Sequence, residues 1–183
     1  MAGLEVEAVE DRYAHLETVV VGRLVAVAPH PNADRLKLCR VDAGDGILPV
    51  VCGAPNAAIG MNVPLARVGT RLPDGTVLEK TVIPGETSEG MLCSEIQLGL
   101  GLDGSGLMIL DRDVQPGVSL KAALNLSDTT LEIGLTPNRP DCLSMLGVAR
   151  EIAAIQGLNM NPPVFRLPDT EGDIGALTSV AIQ

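Results

Sequence analysis

Short apolar runs separated by turn-forming residues make up most of the chain. Residues 36–42 alternate apolar and polar side chains at a period of two, which is typical of a strand with one buried face. Similar runs predict further strands, and the full set covers residues 4–9, 19–28, 36–42, 47–52, 63–68 and 77–83. Glycine-containing stretches at 43–46 and 73–75 predict hairpin turns, and Pro55 predicts a single helical turn.

The order of these elements indicates the fold class. From residue 19 onward there are five predicted strands, with the helical turn between the third and the fourth, which is the order of a five-stranded OB-fold barrel. We therefore expect a mainly β protein with its barrel over residues 17–125. Residues 107–110 are expected to form a closing strand.

A second pattern follows the barrel. Residues 131–135 alternate as a strand does, and apolar residues recur every three or four positions over residues 142–156, which predicts a helix. Asp141 is expected to cap the start of this helix and Gly157 its end. Residues 1–16 and 126–160 should then form a small, incomplete α/β unit beside the barrel. Residues 161–183 should begin a further, truncated domain.

Composition excludes several classes of protein. No apolar run is long enough to span a bilayer, and the first ten residues lack both a basic region and an apolar signal core, so we expect a cytoplasmic protein without a membrane partner. The four cysteines form no Cys-x-x-Cys pair and only two histidines are present, so we expect no metal site and reduced thiols.

The charge pattern limits how the protein could bind nucleic acid. The net charge is −10, but residues 17–100 are close to neutral, with seven basic and nine acidic residues. Tyr13 and Phe165 are the sole aromatic residues and lie outside the predicted barrel, so stacking of single-stranded bases is excluded as the main mode of binding. Recognition of a folded RNA by its shape would depend on the basic residues Arg35, Lys37, Arg40, Arg71 and Lys80.

Other polar residues have structural or binding interpretations. His30, Asn32 and Ser88 are further candidates for RNA contact, although His30 lacks a nucleophile at a suggestive spacing and fits a loop-fixing role. Asn32 and Asp34 are expected to hydrogen-bond loop amides. Gly90 is expected to allow a tight turn, and Met91 to plug the open end of the barrel. No glycine-rich phosphate loop precedes a helix, so ATP binding by this chain is not expected.

Four motifs together resemble the amino-terminal part of the bacterial phenylalanyl-tRNA synthetase β subunit. They are His-Pro-Asn-Ala-Asp-Arg-Leu at 30–36, Val-Val-Cys-Gly-Ala-Pro-Asn at 50–56, Ser-Glu-Gly-Met-Leu-Cys-Ser-Glu at 88–95, and Thr-Pro-Asn-Arg-Pro-Asp-Cys-Leu-Ser at 136–144. The first three resemble a wider group of OB-fold tRNA-binding domains, whereas the fourth is specific to the phenylalanyl enzyme. The motif residues to which we give a structural role are Pro31, Asp34, Gly53, Gly90, Met91, Pro137, Asn138, Arg139, Pro140 and Asp141.

The resemblance implies a noncatalytic tRNA-binding and architectural segment of phenylalanine-tRNA ligase. The whole enzyme in that family is an (αβ)2 tetramer that joins phenylalanine to its tRNA using ATP and magnesium, and its catalytic site belongs to the α subunit. This segment is expected to hold no catalytic site and no cofactor. Relatives often carry Arg-Gly before the third motif where this chain has Pro84-Gly85, which removes a cation.

Two alternatives stay open at this point. The barrel could be a protein-interaction module of the synthetase without direct RNA contact, in line with its missing aromatic residues and near-neutral charge. It could also be a free-standing tRNA-binding, chaperone-like protein. The fourth motif speaks against that second alternative, because such proteins are little more than the barrel.

Overall fold

The computed structural model describes residues 3–83, 85–166, 175 and 178–181. Contacts divide the chain into two units, one of residues 8–131 and one of residues 1–7 with 132–183. The domain bounds expected from the sequence stay a prediction, and much of the expected domain start at 161–183 lies outside the described residues. Within the described part, no helix is long and apolar enough to cross a membrane.

The secondary structure is dominated by short strands. They are β1 (Leu4–Asp11), β2 (Val19–Pro29), β3 (Lys37–Asp42), β4 (Ile47–Cys52), β5 (Asn62–Arg67), β6 (Thr81–Ile83), β7 (Glu86–Ser88), β8 (Gly90–Leu92) and β9 (Thr129–Leu135). The α-helices are α1 (Glu95–Leu98), α2 (Leu120–Ala123) and α3 (Met145–Gln156), and 3-10 turns lie at Ala14–Glu17 and Pro140–Cys142.

Five strands form one sheet in the order β4-β3-β2-β5-β8, which is the antiparallel order of an OB-type barrel. The expected fold class is therefore confirmed. Strand β2 is central, because its first half pairs with β5 and its second half with β3. The register between β2 and β3 shifts between Leu24 and Ala26, and such a bulge bends the strand and helps the sheet to curl.

The barrel closes where the outer edge of β4 meets the segment leading into β8. The Glu89 amide donates to the Pro49 carbonyl at 2.9 Å, and the Val51 amide donates to Ser88 Oγ at 3.1 Å. Pro49 has no amide hydrogen, so the outer edge of β4 has one hydrogen-bond donor fewer than a strand without proline. Two hydrogen bonds therefore cover an edge strand that would otherwise be open to pairing.

The prediction that residues 77–83 form the fifth barrel strand was wrong. Residues 81–83 pair with β7 in a separate hairpin, Val77 makes a single bridge with Arg71, and β8 is the strand that completes the barrel. The apolar run misleads because Val77 and Val82 face solvent, at 44% and 67% exposure. Strand β8 has three residues, too few for a period-two pattern, and only its pairing with β5 defines it.

Gly90 serves a close approach and not a tight turn. A Cβ atom on this residue would lie 2.8 Å from the Ala66 carbonyl oxygen of the paired strand. The predicted helical turn at Pro55 is also absent, because the segment forms non-helical turns. Residues 107–110 do not form a strand either, since Leu110 makes one isolated bridge with Asn62.

Two apolar cores lie on opposite faces of the sheet. One fills the barrel and includes Leu24, Val41, Val50, Val63 and Leu65, while the other includes Leu16, Val19, Val21, Leu98 and Leu120. Neighbouring residues in the first half of β2 alternate between the cores, so this half of β2 and strand β5 are buried on both faces. Strands β3 and β4 bury one face only, which leaves their outer face open.

The α/β unit contains α3, and its start differs from the prediction. Ser144 caps the helix by accepting the Gly147 amide at 3.1 Å, whereas Asp141 lies in the preceding 3-10 turn. The shift arises because Pro140 starts that short turn, which ends before α3 begins. Gly157 closes the helix in the left-handed conformation, as predicted, and the predicted strands at 4–9 and 131–135 are confirmed within β1 and β9.

Asn62 is fully buried and joins the sheet to the segment that follows the barrel. Its amide group donates to the carbonyls of Asp111 at 2.8 Å and Val114 at 2.9 Å, and its oxygen accepts Arg23 Nε at 2.9 Å. These bonds hold the chain across the end of β5.

We expect Asn62→Ala to lower the free energy of unfolding by about 2–3 kcal/mol, because it leaves several buried polar groups without partners. Chemical denaturation would measure the change. Asn159→Ala, an exposed position after α3, is the control and should change stability by less than about 0.5 kcal/mol. Equal stability of the two variants would contradict the assigned role of Asn62.

Candidate nucleic-acid interface

The open outer face of β3 and β4 is flanked by two connecting segments, the 30–36 loop and the 68–89 segment. In OB-type barrels the corresponding strands and loops bind oligonucleotides. All eight residues proposed from the sequence for RNA contact lie on these elements: His30, Asn32 and Arg35 in the 30–36 loop, Lys37 and Arg40 on β3, and Arg71, Lys80 and Ser88 in the 68–89 segment. The fold therefore gathers them on the elements of one OB-type binding face.

His30 connects the two segments. Its ring is buried, its Nε2 lies 3.2 Å from the Ile83 carbonyl oxygen, and its Nδ1 accepts the Asn32 amide at 3.1 Å. Because Nδ1 accepts, the neutral ring carries its hydrogen on Nε2 and donates it to Ile83. The histidine thus fixes the 30–36 loop to strand β6 and is withdrawn from solvent.

Ser88 has a similar supporting position. Its hydroxyl accepts the Val51 amide and donates to the Gly90 carbonyl at 2.9 Å, and the residue is 4% exposed. Both bonding directions of the hydroxyl are used inside the protein. Ser88 therefore holds the barrel closure and has no free group to offer a ligand.

The basic residues differ in whether their charged groups already make hydrogen bonds or ion pairs within the protein. Lys37 Nζ donates to the carbonyls of Pro55 at 2.7 Å and Ala57 at 3.1 Å, Lys80 pairs with Glu89 at 2.6 Å, and Arg71 donates to the Gly75 carbonyl at 3.3 Å. Arg35 and Arg40 are exposed, and their side chains make no hydrogen bond or ion pair within the described residues. These two guanidinium groups are the cations most available to a phosphate.

Arg40 stands in the middle of the open face. The register places it between Ala26 of β2 and Pro49 of β4, two residues without long polar side chains. Arg35 projects from the exposed part of the 30–36 loop next to Asp34. Contrary to expectation, the Asp34 carboxylate makes no hydrogen bond within the described residues, so its charge weakens the local positive field.

Other motif residues shape this face without touching it. Pro31 is exposed in the loop, and Gly53 directly follows β4, where an added Cβ would meet Leu36 at 3.5 Å. Met91 lies half-buried on β8. These positions set the course of the backbone around the candidate interface.

A pair of buried thiols on the inner face of β3 and β4 escaped the sequence analysis. The neighbouring Cys39 thiol lowers the pKa of Cys52, with help from the Ala54 amide and the charge of Lys37, while burial opposes the shift. The pKa of Cys39 is raised by the same interaction. The strand register, which places Lys37 opposite Cys52, brings these groups together and could not be read from their spacing.

The fourth motif forms a separate cluster in the α/β unit. Arg139 donates to both oxygens of Asp141, at 3.1 and 3.0 Å, and to Glu151 of α3 at 2.8 Å. Gly147 is required here because a Cβ atom would lie 1.8 Å from the Asp141 carbonyl oxygen. Pro137, Asn138 and Pro140 are exposed around this turn, so the motif orients the start of α3.

Comparison with known proteins agrees with this geometry. A family model described as "Putative tRNA binding domain" matches residues 19–119, which include the barrel and every candidate residue for RNA contact. The chain belongs to this tRNA-binding domain family. The match ends before the Arg139 cluster, so the family model concerns the barrel and not the α/β unit.

Longer relatives extend the similarity beyond the residues matched by the family model to the whole of this chain. It is 50% identical over 182 residues to the phenylalanine–tRNA ligase beta subunit of Syntrophus aciditrophicus, covering 100% of this chain and 23% of that protein. It is 52% identical over 164 residues to the same subunit of Bordetella pertussis, covering 89% of this chain and 20% of that protein. The resemblance found in the sequence is confirmed, and the chain spans under a quarter of the length of these relatives.

A solved structure, the MetRS related protein from Pyrococcus horikoshii, is 17% identical with a TM-score of 0.43. The superposition covers 56% of this chain and 87% of that one. At this identity and TM-score the similarity carries no argument about this chain, and its fold class rests on its own strand order.

We expect His30→Ala to loosen the 30–36 loop, because it removes both the acceptor for Asn32 and the donor to Ile83. Amide hydrogen exchange at residues 32–36 should accelerate at least about tenfold, equivalent to about 1.4 kcal/mol of local stability. Arg35→Ala in the same loop is the matched control and should leave exchange unchanged. Similar exchange rates in both variants would show that His30 does not fix the loop.

The Arg139 cluster predicts a pH dependence. Its guanidinium group lowers the pKa of Asp141 from its ordinary value to about 2, so the contact supports the folded turn above that ordinary value and is lost as the pH falls through about 2. In Arg139→Gln the Asp141 carboxyl carbon, followed by NMR, should titrate near the ordinary value of about 3.9. Asp103, whose pKa is lowered by the Ser105 amide, is the control carboxyl, and its titration should be the same in both proteins. An unchanged Asp141 midpoint would contradict the ion pair.

Proposed function

We propose that this chain is a noncatalytic tRNA-binding and architectural segment of a phenylalanine–tRNA ligase β subunit, and that Arg35 and Arg40 contact the RNA backbone. The observation that carries the proposal is the coincidence of the tRNA-binding family match with the open face of β3 and β4, where these two cations are unpaired within the described residues. The full-length similarity to the β subunits of the ligase supports the assignment to that enzyme.

The mode of binding is recognition of a folded RNA by shape. The chain has one tyrosine and one phenylalanine, and neither lies on the outer face of β3 and β4, so base stacking supplies little of the affinity. Guanidinium groups instead donate to phosphate oxygens and 2′-hydroxyl groups. His30 and Ser88 support this contact by holding the two flanking segments in place.

The electrostatics suit a contact that assists binding. Two available cations release about two counterions, which corresponds to a slope near −2 in a plot of log affinity against log salt concentration. The net charge of −10 adds a general repulsion. We therefore assign the greater part of the tRNA affinity to regions of the longer ligase subunits that this chain does not cover.

The chemistry of the whole enzyme is also proposed to lie outside this chain. The described residues contain no group of three or more His, Cys, Asp or Glu side chains arranged to hold a metal ion, and no glycine-rich loop precedes a helix. These residues do not fit magnesium or ATP. We assign the binding of magnesium and ATP to an (αβ)2 ligase tetramer in the cytoplasm. This chain would be one segment of the β subunit of that tetramer.

The second candidate function is a protein-interaction barrel without RNA contact. It is favoured by Lys37, Lys80 and Arg71, whose charged groups already bind carbonyl or carboxylate oxygens of the protein and so leave few cations for phosphate. A free-standing tRNA-binding, chaperone-like protein is disfavoured, because the similarity to the ligase subunits extends through the Arg139 cluster.

Fluorescence anisotropy with unmodified phenylalanine tRNA at two salt concentrations separates these functions. In Arg35→Gln/Arg40→Gln we expect weaker binding at low salt and a salt slope smaller by about 2, because each phosphate contact contributes about 1. Arg112→Gln removes an exposed cation away from the open face and is the matched control. Equal affinity and slope in the double variant and the control would favour the protein-interaction function.

A further inference from the structure

Two apolar pockets lie side by side on the barrel, where the 68–89 segment meets β4 and β8. The first has a volume of about 380 Å³ and includes Leu72, Leu78, Met91 and Ile96 in its lining. The second has a volume of about 200 Å³ and includes Val51, Leu78, Ile83 and Met91. Because both contain Leu78 and Met91, the pockets share a wall and form one surface, which we call the Met91 groove.

The charge around the Met91 groove is negative. Asp74 lines the first pocket and Glu79 the second, and no lysine or arginine lines either. Residues 72–97 contain five acidic residues, Asp74, Glu79, Glu86, Glu89 and Glu95, and one basic residue, Lys80, which gives a net charge of −4. Lys80 is already paired with Glu89 at 2.6 Å. A phosphate backbone would be repelled here, whereas a cationic ligand would be attracted.

Two further features suit a polypeptide. Met91 is a flexible, polarizable side chain that adapts to different apolar partners. Gln97 borders the first pocket, and its side-chain oxygen accepts the Ser94 amide at 2.9 Å and the Ser94 hydroxyl at 3.1 Å. Its amide hydrogens are then directed to donate elsewhere, and a peptide carbonyl is a suitable acceptor.

We propose that the Met91 groove binds an extended polypeptide segment with two aliphatic side chains separated by one residue and with lysine or arginine beside them. Side chains two residues apart point to the same side of an extended chain, so they would enter the two adjacent pockets. The flanking cations would face Asp74 and Glu79. The charge complementarity decides for a basic polypeptide over RNA, and this proposal stands independently of the RNA contact by Arg35 and Arg40.

Selection of a phage-displayed random hexapeptide library on the 183-residue chain tests the proposal. The expected outcome is enrichment of sequences with two aliphatic residues at positions i and i+2 and at least one lysine or arginine. An enriched peptide should then shift the methyl signal of Met91 in an NMR titration of methyl-labelled methionine. No enrichment, enrichment of acidic sequences, or an unchanged Met91 signal would overturn the proposal.

Charge variants provide the second arm. Asp74→Asn keeps an oxygen that can accept the Thr76 amide, and Glu79 is exposed, so Asp74→Asn/Glu79→Gln preserves the fold. We expect it to bind the selected peptide about tenfold more weakly at low salt, whereas the matched control Asp113→Asn should bind normally. Equal binding by both variants would overturn the proposal. A Met91 shift caused by phenylalanine tRNA would overturn it as well, because the groove would then take RNA.

Discussion

The closure of the barrel between β4 and β8 is the constraint on which the rest of the structure depends. A five-stranded sheet has two edges, and an exposed edge strand is a template for unwanted pairing. Here Pro49 removes one donor, and the Ser88 hydroxyl and Glu89 amide satisfy the Val51 amide and the Pro49 carbonyl. The third sequence motif therefore supplies no reactive chemistry: its serine closes a sheet, and Gly90 permits the last strand to approach β5.

This closure explains where a ligand can bind. The first half of β2 and strand β5 are covered on both faces by the two apolar cores, so they present little free surface. The outer face of β3 and β4 stays open, and the 30–36 loop is held beside it by His30. The candidate residues thus fall into two groups. His30 and Ser88 hold the segments around the open face in place, whereas Arg35 and Arg40 are exposed to solvent on those segments.

The two surfaces of the barrel have opposite electrostatic character. Arg35 and Arg40 lie on the face and loop typical of nucleic-acid binding, while the Met91 groove is apolar and lined by Asp74 and Glu79. A net charge of −10 is consistent with both, because few cations near the open face are free: Lys37 donates to backbone carbonyls and Lys80 is paired with Glu89. Under the proposed function, such a domain contributes position and selectivity more than raw affinity.

The amino-acid sequence by itself determined the fold class, the first four barrel strands and the family, because period-two alternation, turn residues and four motifs are local signals. It also identified the segments that flank the open face. Only the tertiary structure decided the fifth strand, since β8 is too short to show a pattern and exists through its pairing with β5. The tertiary structure also decided which candidate residues are available to a ligand. Ser88 is buried, Lys37 donates to the carbonyls of Pro55 and Ala57, and Arg40 is exposed. Each of these outcomes depends on contacts between segments that are distant in the chain.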